Sequence, residues 1–105
     1  MRALLREALA AGSRLVVPAG ALAQVWRDGA RQVPLGAVLK GPTTVVAVLD
    51  QMLAEASGTL CGRAGTSDVV DASVVLIARR ERAVVVTSDA GDLLRLDSTL
   101  TVYSV

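Results

Sequence analysis

A chain of 105 residues with a formal charge of +1 has no global positive field to mark it for nucleic acid. It contains no histidine, which removes the usual general base, the usual zinc ligand and the Ser-His type of triad. Its single cysteine, Cys61, excludes an internal disulfide and a multi-cysteine zinc site and reads as a buried, inert thiol. Apolar residues make up 52% of the chain, yet Phe is absent and Trp and Tyr occur once each, so the core must be built from Val, Leu and Ala. Acid–base or metal chemistry therefore has to come from carboxylates. Charged residues interrupt every apolar stretch and interleave at the N-terminus. The expectation is a cytoplasmic protein with no membrane partner.

In chain order, Leu4, Leu5, Ala8 and Leu9 predict a helix over 2–11 stopped by Gly12. A short strand over 14–17 should end at Pro18. A helix over 19–28 follows, with Leu22, Val25 and Trp26 facing inward. Pro34 suits the first turn of a short helix through Leu39, and Gly41-Pro42 marks a turn. Thr43 to Leu49 reads as a strand. A helix over 50–61 turns Met52, Leu53, Ala56 and Leu60 inward, and 62–65 form a loop. The segment from Val69 to Arg80 is apolar almost all round, which predicts a helix buried on several sides. Residues 83–86 read as a strand, 89 or 90 to 96 as a helix, and 100–105 as a last strand. This alternation predicts an α/β fold of one domain, a parallel sheet with helices on both faces.

The motif Thr-Ser-Asp-x-x-Asp occurs twice, at 66–71 and 87–92, each time at a helix entrance. Two readings of the four carboxylates are open. Asp is a favoured N-cap, and an acid three positions later suits the first turn, so Asp68 with Asp71 and Asp89 with Asp92 satisfy local helix chemistry. Alternatively, the carboxylates hold a hard divalent ion. Asp71 opens a helix that is otherwise buried, and Asp89 follows a strand at its carboxyl end, where ligands of parallel sheets gather. Thr87 and Ser88 add hydroxyls that can orient carboxylates or water. Mg²⁺ or Mn²⁺ suits such donors and needs only one or two carboxylates besides water and phosphate.

The segments 15–25, 71–78 and 84–93 together resemble the PIN domain, most closely the VapC-type toxins of bacterial toxin–antitoxin systems. That resemblance covers nearly the whole chain. It implies a PIN-like parallel sheet flanked by helices and a metal-dependent endoribonuclease restrained by a cognate antitoxin. Asp71 matches the family's third acidic position and Asp89 the fourth, so both would be catalytic residues and ligands of Mg²⁺ or Mn²⁺. Asp92 would be an accessory carboxylate, Thr87 or Ser88 an orienting hydroxyl, and Asp68 a cap. Gln24 stands where the family usually has Glu, an amide able to hydrogen-bond but bringing no charge.

The family's first central strand and its terminal Asp have no counterpart in these residues, so the domain over 1–105 reads as N-terminally truncated relative to the family. A sheet without that strand would carry unpaired edges and an apolar slot. Oligomerisation or a strand from another chain is expected to cover it. Arg79, Arg80 and Arg27 are weaker candidates for steering an RNA backbone. The alternatives are a catalytically inactive PIN-like module that binds an antitoxin or another protein, and a small α/β interaction protein whose acidic motifs only cap helices.

Overall fold

The computed structural model describes Glu7 and residues 10–104. Of the helix expected over 2–11, Glu7 and Ala10 are helical, and Gly12 follows in the left-handed conformation (φ 71°) that favours glycine. Leu4, Leu5, Ala8 and Leu9 lie outside the described residues. Contacts divide the chain into two units, Met1–Val48 and Leu49–Val105.

The first unit holds β1 (Leu15–Pro18), α1 (Ala19–Trp26), α2 (Gly29–Leu39) and β2 (Thr44–Ala47). Its β-branched strands pair in parallel, Leu15 opposite Thr44 and Pro18 opposite Ala47. Pro18 sits at the strand's last position, where its missing donor costs the ladder least, and leads straight into α1. Asp28 ends the expected 19–28 helix early because its carboxylate accepts the Ala30 N–H at 3.1 Å and caps α2 instead. Pro34 therefore lies inside α2 and not in its first turn. The Thr43 and Thr44 hydroxyls donate to the Ser13 and Val38 carbonyls and pin the turn into β2. Trp26 does not face inward: it ends α1 with 45% of its surface exposed.

The second unit holds α3 (Gln51–Ala64), α4 (Val69–Glu81), β3 (Val85–Thr87), α5 (Ala90–Leu96) and β4 (Val102–Ser104). Asp50 caps α3 through its carboxylate and the Leu53 N–H, 2.8 Å apart. The helix runs through the expected loop to Gly65, whose φ of 71° closes it. Its buried face is Leu53, Ser57 and Cys61, spaced by four, whereas Met52 and Ala56 are exposed. The Ser57 hydroxyl reaches the core because it donates to the Leu53 carbonyl at 2.7 Å. Helix α4 buries Ala72, Ser73, Val75, Ile77 and Ala78, which accounts for its nearly continuous apolar sequence. Val75, Ala78, Val85 and Leu93 form the core, with Leu60, Val74, Leu96, Leu100 and Val102 packed around them. Replacing Asp50 by Ala removes a cap and is expected to cost about 1 kcal/mol, read as a lower urea midpoint at unchanged slope.

The second strand pair is also parallel, Val85 opposite Val102 and Thr87 opposite Ser104. The described strands thus form two separate two-stranded parallel sheets in place of one continuous sheet. Each pair is joined by its own helical crossover, and strands of three or four residues bond only to that partner. The architecture is mixed α/β with five helices among the described elements. No described helix is long and apolar enough to cross a membrane.

Candidate functional site

The two acidic motifs both belong to the second unit, at the entrances of α4 and α5. At the first, the Thr66 hydroxyl accepts the Asp68 N–H at 3.3 Å, and the Asp68 carboxylate accepts the Asp71 N–H at 2.9 Å. Asp68 is thus the cap that its spacing predicts. At the second, the Thr87 hydroxyl accepts the Asp89 N–H at 3.0 Å. The Thr87 hydroxyl thus holds the loop backbone at Asp89, and Ser88 is exposed beside it. Asp89 occupies the N-cap position of α5, but its side chain makes no capping hydrogen bond. The two motifs share a sequence and differ in chemistry.

Asp71 is half-buried beside Ala72 and Ser73. Its carboxyl is pushed up to about 6, first by burial, then by the negative charge and hydrogen bond of Asp68, then by the charges of Asp92 and Asp89. Asp71 thus feels the charges of the other three carboxylates. Asp68, Asp71 and Asp92 also line one cleft of about 380 Å³, together with Thr66, Arg95 and Leu96. Arg95 donates to Asp92 at 3.1 Å from the next turn of α5. Its i,i+3 spacing from Asp92 was the available sequence signal for this fourth charged residue of the cleft. Asp68, read from sequence only as a cap, serves the cleft as well.

Gln24 is exposed on α1 in the first unit and is not among the residues lining this cleft. Arg79 is committed elsewhere. Its Nε donates to Asp97 at 2.7 Å, and Asp97 also accepts the Thr99 N–H and hydroxyl at 2.9 and 2.5 Å. These bonds hold the Asp97 carboxyl down to about 2. Arg79 therefore ties the end of α4 to the turn before β4. Arg80 lies 3.5 Å from Glu81.

The two shifted carboxyls give the metal-free protein opposite pH dependences. Asp71 titrates higher in the fold than its ordinary 3.8, so the fold gains stability as pH falls from above 6 toward 4. Asp97 titrates lower, so its contribution is complete above about 4 and is lost as pH falls toward 2. Thermal melts across pH 3–8 are expected to peak on the acid side of neutrality, near pH 4–5 for these two groups. Asp71→Asn should flatten the upper limb alone.

Hard carboxylate oxygens, mutual repulsion and room for water suit a hydrated Mg²⁺ or Mn²⁺. Among the described residues, no three carboxylates close into a ready cage. Asp71 and Asp92 line the cleft, and Asp89 is not among its lining residues. Compared with protein-family models, curated proteins and solved structures, the chain matches none. The PIN resemblance accordingly rests on the motifs themselves.

Proposed function

We propose that this chain is a PIN-like, VapC-type ribonuclease that hydrolyses RNA phosphodiester bonds with the help of Mg²⁺ or Mn²⁺. The observation that carries this reading is Asp89. It stands where a helix cap belongs and does not cap, unlike Asp68 at the matching position of the first motif, and its charge acts on Asp71. A divalent ion bound there would neutralise phosphate charge and acidify a coordinated water. Asp71, Asp89 and Asp92 would hold that ion, while Asp68 caps the helix entrance and Arg95 pairs with Asp92 at the cleft. A cognate antitoxin and self-association are the partners that accompany this reading, in a cytoplasmic setting. Single-stranded RNA incubated with the protein should be cut in Mn²⁺, spared in EDTA, and spared by Asp71→Asn.

The second reading, an inactive PIN-like binding module, draws on the lack of three closely gathered carboxylates among the described residues. It is favoured if Mn²⁺ binds and no RNA is cut.

A further inference from the structure

A recess of about 340 Å³ in the first unit is lined by Ala19, Leu22, Ala23, Trp26 and Leu39 and is almost wholly apolar. We propose that it binds an unpaired base of single-stranded RNA, stacked on Trp26, with Arg27 and Lys40 taking the flanking phosphates. This rests on RNA being the substrate of the reading above, and it concerns residues that reading does not use.

Three observations carry it. The chain's only tryptophan ends α1 with 45% of its surface exposed, although the core has no Phe and needs large side chains. Gln32 donates through its side-chain amide to the Trp26 carbonyl in the α1–α2 turn. Ala19 and Ala23, one turn apart on α1, leave an open slot beside the indole. An exposed ring over small residues is a stacking platform, and stacking accepts any base because every base has a π-face.

Charge supplies the second requirement. Residues 1–48 contain six Lys and Arg against Glu7 and Asp28, a net of +4, whereas residues 49–105 contain five against eight, a net of −3. The near-neutral total conceals a basic first unit. Exposed Arg27 and Lys40 directly follow Trp26 and Leu39, the two residues that end the recess-lining helices. Asp28, the acid of the same turn, has its carboxylate on the Ala30 N–H. An acidic peptide shares the charge, but an amphipathic helix needs a groove with anchors at i, i+3, i+4 and i+7. Four residues around one ring offer a single anchor. The dimensions favour a base.

The test uses the full chain in EDTA, so that cleavage cannot contribute. Because Trp26 is the only tryptophan, its fluorescence reports this site alone. Titration with an oligouridylate of about eight nucleotides should quench it to saturation, less readily as salt rises. A duplex RNA of equal length should not quench. Trp26→Leu should weaken binding of the labelled oligonucleotide about tenfold, as loss of one stacked base does. Arg27→Gln should lower the salt slope by about 1, with circular dichroism unchanged in both variants. Absent quenching by the oligouridylate, quenching by a glutamate-rich peptide alone, or wild-type affinity in Trp26→Leu would overturn the proposal. Asp71→Asn should quench like wild type without cutting. Quenching by a wild-type protein that never cuts RNA would sink the nuclease reading and leave the base recess standing.

Discussion

Asp89→Asn is expected to lower Mn²⁺ affinity and RNA cleavage by at least about a hundredfold while leaving the thermal midpoint nearly unchanged. The magnitude follows because removing an outer-shell partner of a metal site already costs about 10–100-fold, and a carboxylate of the site itself costs no less. The unchanged midpoint follows from geometry. The Asp89 side chain makes no capping hydrogen bond, so the amide has no cap to lose. Asp71→Asn should lose activity equally and gain stability at neutral pH, because it removes a carboxylate raised by burial and by the charges of Asp68, Asp92 and Asp89. Calorimetric titration with Mn²⁺ and melting curves on the same samples separate the outcomes. Loss of stability with unaltered metal response would assign both residues to helix structure.

Leu93→Ala is expected to cost about 2–5 kcal/mol, the usual range for truncating a buried leucine. Leu93 is 2% exposed and packs with Val75, Ala78 and Val85. It is also the buried anchor of α5, the seven-residue helix that carries Asp92 and follows Asp89. Against a total stability of about 5–15 kcal/mol, that loss should move the urea midpoint by about a third at the middle of both ranges. Cleavage should fall before global unfolding does, since freeing α5 separates the two acidic loops. Activity that persists up to the unfolding midpoint would mean that α5 does not position the site.

Local chemistry made much of the second unit legible. The apolar run from Val70 to Ala78 announced a helix buried on several sides, and Asp68 announced its cap. Valine strands and helices in alternation announced parallel pairing. The first unit was harder to read, because its boundaries turn on single polar contacts. The pattern puts Asp28 at the end of one helix, whereas it caps the next, and Pro34 lies inside that helix. Periodicity points Trp26 inward, yet an eight-residue helix gives periodicity little to average over. The continuous sheet failed for a different reason. Strand pattern predicts orientation, whereas joining pairs into a sheet depends on long-range hydrogen bonds that no window of sequence contains. At the site, spacing identified the two motifs but could not tell a carboxylate that caps from one that does not.

Backbone amide spectra with substoichiometric Mn²⁺ would decide whether Asp71 and Asp89 feel a single ion. Paramagnetic broadening should strike residues 68–72 and 87–93 together at the lowest metal concentrations, and Mg²⁺ should reverse it by competition. Broadening confined to one motif, or spread over unrelated surface acids, would contradict a shared metal and with it the ribonuclease reading.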